Sequence, residues 1–196
     1  VYISFNPTST GTFSSTLTIF NDDADVSLNL TGTSKTGYTV TFNVDDGASP
    51  VENALITIDS KHIQTNAQGV ATLDTINGTY SFTITKSGFD IFSGSVTVND
   101  GPVSSTASLV PLYNLAFVVT DGTNTLPGAN IAIGARNYTT DASGYAAIDT
   151  FNGTYNYIIT KTGYQTGSGS VTVNDADIVE HVTLNRYYQV SFSVTD

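Results

Sequence analysis

A long internal repeat constrains the fold of this chain more than any other feature of its sequence. When the sequence is shifted against itself by 75 positions, Tyr38 to Pro111 align with Tyr113 to Arg186 without a gap, and about two positions in five are identical. The same offset places a third copy at Tyr188, where the chain reads YQVSFSVTD. Self-similarity at one fixed period is the signature of a tandem array. A unit of this size can also hold a hydrophobic core of its own.

Within each copy, apolar and polar residues alternate with a period of two. Val40, Phe42 and Val44, for example, alternate with Thr39, Thr41 and Asn43. The other alternating runs of the first copy are Ala54 to Ile58, Ala71 to Leu73, Tyr80 to Ile84, Val96 to Val98 and Ala107 to Leu109. Alternation that is rich in Val, Ile, Thr, Tyr and Phe is typical of half-buried β-strands, and no window shows helical spacing. We therefore predict an all-β chain of tandem antiparallel β-sandwiches of Ig-like or transthyretin-like type, arranged as beads on a rod.

The phase of the alternation and the turn residues give more detailed expectations. Phe42 and Phe117 are predicted to be equivalent core residues, each buried between two sheets. Asn77-Gly78 and Asn152-Gly153 stand between alternating runs, which predicts a two-residue hairpin turn with positive φ at each. In an Ig-type topology the first and last strands of a copy run parallel. Asp46-Gly47 and Gly88, with their equivalents Asp121-Gly122 and Gly163, mark further turns.

The segment before the first copy does not match the repeat. Residues 1–37 carry three alternating runs, which lie at Val1, Ile3 and Phe5, at Phe13, Leu17 and Ile19, and at Val26, Leu28 and Leu30. Three strands are too few to close a sandwich, so we expect residues 1–37 to be the C-terminal part of another Ig-like β-domain in a longer protein. Residues 38–111 and 112–186 are then the two sandwich repeats. Residues 187–196 are predicted to be the first strand of a third.

Composition excludes several classes of partner and chemistry. Six Lys and Arg stand against 17 Asp and Glu, giving a net charge of -11, so the chain offers no cationic surface to nucleic acid or to an anionic membrane. No apolar run approaches the roughly 18 to 20 residues that span a bilayer, and we expect no membrane insertion. The absence of Cys excludes disulfides, zinc–thiolate sites and thiol catalysis.

Two known families resemble parts of the chain. The stretch FNPTSTGTFSSTLTIFNDDADVSLNLTGT, from Phe5 to Thr33, resembles the end of the choice-of-anchor D type of Ig-like domain. The two repeats resemble carboxypeptidase-regulatory-like or PEGA-type domains, which are transthyretin-like sandwiches. The residues that carry this resemblance are TNAQG and TDASG, Asn-Gly-Thr-Tyr, Thr-Lys-x-Gly before Phe89 or Tyr164, and Pro127-Gly128-Ala129. The first copy departs from the pattern with Glu52-Asn53-Ala54.

Both families are found in large secreted proteins of bacteria, so the resemblance implies a location outside the cell or at its surface. We expect a non-catalytic stalk or spacer segment of a cell-surface protein, adhesin-like or part of an extracellular filament. The expected partners are neighbouring repeats of the same chain, and other copies or surface glycans are further possibilities. Related collagen-adhesin B-type domains often carry an isopeptide bond from a Lys on the first strand. TVTFNV and NLAFVV contain no Lys, so we expect no such bond.

Residues with catalytic potential do not form a recognisable constellation. His62 and His181 do not recur in the repeat, and a surface position is expected for both, because a triad needs a nucleophile, a base and an orienting group together. Lys86 and Lys161 do recur, each before a turn, where edge protection or solvation is the expected role. We predict no enzyme, no catalytic or cofactor-binding residue and no cofactor.

Three binding or modification hypotheses remain beside the structural one. Tyr138, Tyr145, Tyr187 and Tyr188 could stack on sugars, which would make the chain a carbohydrate-binding module array attached to a secreted enzyme. Asp45, Asp46, Asn174, Asp175 and Asp177 offer the oxygen ligands that Ca²⁺ takes, although Asp-Gly and Asn-Asp also simply make turns. We therefore predict no metal site. Glycosylation sequons begin at Asn29, Asn77, Asn137 and Asn152, and Asp74-Thr75-Ile76 fits an O-glycosylation pattern.

Overall fold

The structure is a computed structural model that describes residues 6–20 and 22–194. The described residues form 16 β-strands and no helix, which confirms the predicted all-β class. The chain divides into two compact units. The first comprises Val1–Lys86 and Ile91–Leu109, and the second comprises Ser87–Asp90 and Val110–Asp196.

The first unit begins with a two-stranded antiparallel sheet of β1 (Gly11–Ile19) and β2 (Val26–Ser34). The register pairs Leu17 with Leu28 and Ile19 with Val26, so the apolar side chains share one face. The opposite face is polar and carries the Thr16 to Asn29 hydrogen bond. Two of the three strands expected in residues 1–37 are thus present. The third, at Val1, Ile3 and Phe5, lies outside the described residues.

The first unit continues with a seven-stranded sandwich that contains the first copy of the repeat. Its strands are β3 (Tyr38–Asp45), β4 (Leu55–Ile58), β5 (Lys61–Gln64), β6 (Val70–Thr75), β7 (Gly78–Thr85), β8 (Phe92–Val98) and β9 (Val103–Ser108). They form a three-stranded sheet of order β6-β3-β9 and a four-stranded sheet of order β5-β4-β7-β8. Neighbouring strands are antiparallel except for β3 and β9, which are parallel.

The second unit repeats this topology strand for strand. Its strands are β10 (Tyr113–Thr120), β11 (Asn130–Ile133), β12 (Arg136–Thr139), β13 (Tyr145–Thr150), β14 (Gly153–Thr160), β15 (Gly167–Val173) and β16 (Ile178–Thr183). The sheet orders are β13-β10-β16 and β12-β11-β14-β15, and β10 and β16 are the parallel pair. Both predicted sandwiches are therefore present, each with the parallel first and last strands that an Ig-type topology requires.

The core of each sandwich lies between its two sheets and is built around one phenylalanine. Phe42 is 1% exposed and contacts Phe82 of the opposite sheet edge to face, at 4.9 Å between ring centroids. Phe117 is 2% exposed and contacts Tyr157 in the same way at 5.1 Å. These positions confirm the predicted strand phase and the equivalence of Phe42 and Phe117.

The prediction of hairpin turns at Asn77-Gly78 and Asn152-Gly153 is wrong. β6 pairs with β3 in one sheet, whereas β7, which begins at Gly78, pairs with β4 and β8 in the other. The Asn-Gly segment is therefore a crossing between the two sheets. Gly78 lies inside a strand, and Asn77 has no positive φ. The two-residue hairpins lie instead at Asp59-Ser60 and Gly134-Ala135, where Asp59 and Gly134 have φ of 50° and 58°.

The departure of the first copy at Glu52-Asn53-Ala54 leaves the backbone unchanged. Asn53 has φ of 56° where Gly128 of the second copy has 68°. Asn is one of the few residues with a side chain that tolerates this left-handed region. The same turn is therefore made by two different residues.

Residues 187–194 form no strand in the described chain. Val190 and Phe192 are 71% and 88% exposed, whereas the equivalent residues of the complete copies are buried. A strand needs neighbours to pair its backbone and bury its apolar face, and in both complete copies the first strand lies between two others. Assignment of residues 187–196 to a third copy rests on the sequence offset and stays a prediction.

Candidate functional site

The first and last strands of each copy form a parallel ladder that we call the terminal-strand ladder. In the second copy it runs from the Leu115–Ile178 pair to the Thr120–Thr183 pair. It is extended by a hydrogen bond of 2.8 Å from the Leu184 N–H to the Thr120 carbonyl oxygen. Because the strands are parallel, the chain enters β10 at one end of the sandwich and leaves β16 at the other.

The first copy has the same ladder with different side chains. It runs from the Val40–Val103 pair to the Asp45–Ser108 pair. A hydrogen bond of 2.7 Å from the Leu109 N–H to the Asp45 carbonyl oxygen extends it. Most of these contacts involve only backbone atoms, so the ladder recurs even though few of its residues are identical.

The connector that follows the last strand is held by a second recurring feature, which we call the connector clasp. In the second copy the Tyr187 N–H donates to the Gly163 carbonyl oxygen at 2.8 Å, and the Gln165 N–H donates to the Asn185 carbonyl oxygen at 2.8 Å. The Arg186 guanidinium lies 5.9 Å from the centre of the Tyr164 ring. Gly163 and Tyr164 belong to the turn between β14 and β15, which are strands of the four-stranded sheet.

The clasp also follows the last strand of the first copy, and all of its residues there belong to the second compact unit. The Leu112 N–H donates to the Gly88 carbonyl oxygen at 2.8 Å, and the Asp90 N–H donates to the Val110 carbonyl oxygen at 2.9 Å. The Thr-Lys-x-Gly motif thus has a structural use, because its glycine carbonyl accepts from the connector. Lys161 adds to the same turn, since its Nζ donates to the carbonyl oxygen of Pro127.

The acidic residues after the first strand of each copy act as local turn caps. Asp46 Oδ1 accepts the N–H groups of Ala48 and Ser49 at 2.9 and 2.7 Å, and Asp45 Oδ1 accepts that of Gly47 at 2.9 Å. These backbone hydrogen bonds favour the charged carboxylate, so the pKa of Asp46 lies below its usual value. Asp121 of the second copy accepts the N–H groups of Asn124 and Thr123 in the same way, and these hydrogen bonds likewise lower its pKa.

The acidic residues before the last strand are also engaged within their own copy. Asn152 and Asp175 form a reciprocal clamp, in which Asn152 Nδ2 donates to Asp175 Oδ1 at 2.6 Å and the Asp175 N–H donates to Asn152 Oδ1 at 2.8 Å. Asn77 and Asp100 repeat it in the first copy. Asp177 Oδ1 accepts the N–H of Asn114 at 2.8 Å, and Asn174 is exposed.

These contacts bear on the Ca²⁺ hypothesis. Across residues 6–20 and 22–194, no three His, Asp or Glu side chains come together in a group that could hold a metal ion. Asp45 and Asp46 lie in the first unit and Asp175 and Asp177 in the second. Each set caps the turns and strand ends of its own unit.

Both histidines, Tyr138 and Tyr145 lie in ordinary strands, whereas Tyr187 and Tyr188 lie in the connector. His62 and His181 are both exposed, as predicted, and Thr57 Oγ1 lies 3.1 Å from His62 Nδ1. Tyr138 packs against the core of the second copy, and Tyr145 is 39% exposed. Tyr187 and Tyr188 are 62% and 84% exposed. Of these four tyrosines, the last two are thus the most open to a ligand.

Two buried polar features escaped the sequence interpretation. Thr65 and Thr140 are 2% and 4% exposed, and the hydroxyl of each is hydrogen-bonded to two backbone groups. The Tyr157 hydroxyl donates to Glu180 Oε1 at 2.7 Å. The recurrence of Thr at the 75-residue offset was a signal for the first feature. No sequence signal indicated the second, because Phe82 and Ser105 replace this pair in the first copy.

Among the described residues, no helix has the length and apolar character needed to cross a membrane.

Comparisons with known proteins return solved structures only. No protein family matches the chain, and no curated protein matches it. The Bacillus anthracis TIE protein aligns with 91% of this chain at 15% identity and a TM-score of 0.36, and the alignment spans 44% of that protein. The minor pilin GBS52 of Streptococcus agalactiae aligns with 81% of this chain and 100% of its own length, at 16% identity and a TM-score of 0.40. The shaft pilin SpaA of Lactobacillus rhamnosus GG aligns with 80% and 100%, at 16% identity and 0.41.

Proposed function

We propose that this chain is a non-catalytic stalk or spacer segment of a secreted bacterial cell-surface protein, of the adhesin-like or filament-forming kind. The observation that carries the proposal is the terminal-strand ladder, which occurs in both copies. Each copy takes in the chain at one end of its sandwich and releases it at the other. Repetition of such a unit adds length, which is what a spacer requires.

The use of the polar side chains supports the same proposal. Asp46, Asp121 and Asp141 cap turns, and Asn152 and Asp175 hold one another. The two histidines lie exposed on separate strands, in different units. These acidic side chains are thus used to fix loops, and the histidines lie apart from one another.

Exposure of Tyr187 and Tyr188 favours the alternative, a carbohydrate-binding module array attached to a secreted enzyme. In the repeat alignment, however, these residues are equivalent to Leu112 and Tyr113, and the Tyr187 N–H takes part in the connector clasp. The Tyr187 backbone thus has a structural use in the connector, so we favour the spacer.

Two further parts of the proposal concern the ends of the described chain. We propose that residues 187–196 are the first strand of a third sandwich, because Phe192 is in register with Phe42 and Phe117. We also propose that residues 1–37 belong to a separate β-domain, since the apolar face of the β1–β2 sheet leaves Leu28 and Val26 each 55% exposed.

Removal of one whole period tests the spacer directly. Deletion of residues 113–187 joins Leu112 to Tyr188 and keeps every remaining residue in register with the repeat. Small-angle scattering should show the maximum dimension falling by about the length of one sandwich, on the order of 20 Å of strand plus its loops. An unchanged maximum dimension would mean that the copies lie side by side, and the spacer would be rejected.

A binding measurement separates the two functions. The intact chain should bind no glycan on a broad array, and Tyr187→Ala with Tyr188→Ala should behave identically. Specific glycan binding that is lost in this double variant would establish the carbohydrate-binding alternative. Proteolysis of the segment on intact cells would test its surface location.

A further inference from the structure

We propose that each copy of the repeat is a load-bearing unit, which resists tension along the chain by shear of its terminal-strand ladder and by the connector clasp. This inference rests on the proposed stalk function, because only a chain anchored at both ends is pulled in this direction. It adds a mechanical property that spacing alone does not require.

The direction of the strands decides how tension acts on them. Force from the preceding segment enters the second copy at Tyr113, and force from the following segment enters beyond Thr183. The ladder between Leu115–Ile178 and Thr120–Thr183 is about 17 Å long at ~3.3 Å per residue. Because β10 and β16 are parallel, the two forces act at opposite ends of the ladder. All of its hydrogen bonds must then yield together.

An antiparallel pair of terminal strands would respond differently. Both forces would act at the same end, and the bonds would open one after another. Forced unfolding is governed by the unfolding rate along the pulled direction. The parallel pairing therefore raises resistance to pulling without any increase in equilibrium stability.

The connector clasp spreads the load to the second sheet. β16 belongs to the three-stranded sheet, whereas Gly163 and Tyr164 lie in a turn of the four-stranded sheet. A force applied after Tyr187 meets the Tyr187 to Gly163 and Gln165 to Asn185 hydrogen bonds before it reaches β16. The exit from the sandwich is thus tied to both layers of its core.

The ladder and the clasp occur in both copies, which supports a mechanical role for them in each repeat. The first copy has the same parallel ladder and the same clasp, with Leu112 and Gly88 in the positions of Tyr187 and Gly163. Backbone atoms make the hydrogen bonds in both copies. The mechanical geometry is therefore a property of the topology and applies to each repeat.

Single-molecule pulling on the intact chain tests the ladder, and the absence of Cys allows handles at any chosen pair of sites. Leu112→Cys with Gln189→Cys loads the ladder of the second copy in shear. Leu112→Cys with Ala176→Cys applies force at the end where β10 and β16 both begin, so that the ladder is pulled open one hydrogen bond at a time. At one loading rate, the shear pair should unfold at a force several times that of the opening pair. Equal forces, or a weaker shear pair, would overturn the proposal.

The clasp is tested in the shear geometry with a matched pair of variants. Tyr187→Pro removes the N–H that donates to Gly163. Tyr188→Pro makes the same change at the next residue of the connector, whose N–H donates to no backbone carbonyl within the described part of the chain. Tyr187→Pro should lower the shear force and leave the opening force unchanged, whereas Tyr188→Pro should change neither. With the shear handles, a released length of about 250 Å in both proline variants would show that the second copy was folded.

Equal shear forces in the two proline variants would show that the clasp bears no load. Neither outcome depends on the scattering experiment, which tests the stalk itself. A chain that is extended but weak under shear would keep the proposed function and remove this inference.

Discussion

At the scale of single residues, a buried hydroxyl group supports each sandwich. Thr65 Oγ1 donates to the Val51 carbonyl oxygen at 2.6 Å and accepts the Ala54 N–H at 2.8 Å. Thr140 makes the equivalent pair of bonds in the second copy. Each threonine is the first residue of its TNAQG or TDASG motif. Its side chain therefore ties that turn to the segment 51–54 or 126–129.

Thr65→Val keeps the side-chain shape and removes both hydrogen bonds. Two buried backbone groups lose their partner, and each such loss costs about 1 to 3 kcal/mol. We expect the free energy of unfolding of the first copy to fall by at least about 2 kcal/mol, measured by urea denaturation with hydrogen exchange. Thr83→Val, on the exposed face of β7, is the control. Equal effects of the two variants would contradict the proposed role.

Tyr157 gives the second copy a pH dependence that the first copy lacks. Burial of the hydroxyl is the largest cause that raises the pKa of Tyr157 to about 12. The hydrogen bond to Glu180 and the negative charge of Glu180 add to it. The unfolded chain has a tyrosine pKa of about 10, so the stabilisation is complete below pH ~10 and is lost as the pH rises towards ~12. Tyr157→Phe should lower stability by about 1 to 2 kcal/mol at neutral pH.

The pH profile distinguishes this effect from loss of packing. The stability difference between wild type and Tyr157→Phe should shrink between pH ~10 and ~12. Phe82, the natural equivalent in the first copy, shows that Phe fits this position. A difference that stays constant over that pH range would rule out the contribution of the Glu180 hydrogen bond.

At the scale of elements, the loops before β6 and β13 form the same turn, but the capping side chain is Asn66 in the first copy and Asp141 in the second. Asp141 Oδ1 accepts the N–H groups of Ser143 and Tyr145 and the Ser143 hydroxyl. Asn66 Oδ1 accepts the equivalent N–H groups of Gln68 and Val70. The Ser143 hydroxyl and then the Tyr145 and Ser143 N–H groups lower the pKa of Asp141.

Asp141→Asn should therefore remove one acid-sensitive contribution to the second copy. A carboxylate whose pKa is lowered by folding stabilises the fold above its unfolded pKa of about 3.9 and loses that effect as the pH falls through its folded pKa. Acid titration of stability should show a shallower decline for Asp141→Asn than for wild type. If stability declined equally steeply at acid pH in both proteins, the charge of Asp141 would not contribute to the stability of this turn.

The same turns bring the chain so close to the first strand that a side chain does not fit. Gly144 has φ of 74°, and a Cβ there would lie 2.6 Å from the Val119 carbonyl oxygen. Gly163 has φ of 87° with open space around it. Gly163→Ala should cost about 1 kcal/mol for its backbone conformation alone, and Gly144→Ala should cost considerably more. Similar thermal denaturation midpoints for the two variants would contradict the close approach.

At the scale of the whole molecule, we expect each copy to be held in its fold by non-covalent contacts alone. β3 and β10 contain no Lys, while Lys61 and Lys161 donate to the carbonyl oxygens of Asp74 and Pro127. We expect the intact mass to equal the sequence value, near 20.6 kDa. A mass lower by one or more ammonia molecules would reveal isopeptide bonds and a covalent origin of stability.

The sequence by itself determined the features that depend on local alternation. Period-two patterning, with Phe42 and Phe117 on the inward phase, predicted which face of each strand is buried, because neighbouring residues of a strand point to opposite sides. The 75-residue offset predicted two equivalent sandwiches, because the second copy repeats the same alternating runs in the same order. β5 and β12 were not predicted, since their four residues show no alternation and depend on pairing with β4 and β11.

Only the tertiary structure decided which strands become neighbours. Asn77-Gly78 has the sequence of a hairpin, yet β6 and β7 join different sheets, and the Asn side chain instead holds Asp100, which lies 23 residues away. The Thr65 hydrogen bonds and the connector clasp likewise join segments that are distant in sequence. Strand pairing is a competition among non-local contacts. Residue patterns therefore fix the inward face of a strand, and packing of the whole sandwich selects its partners.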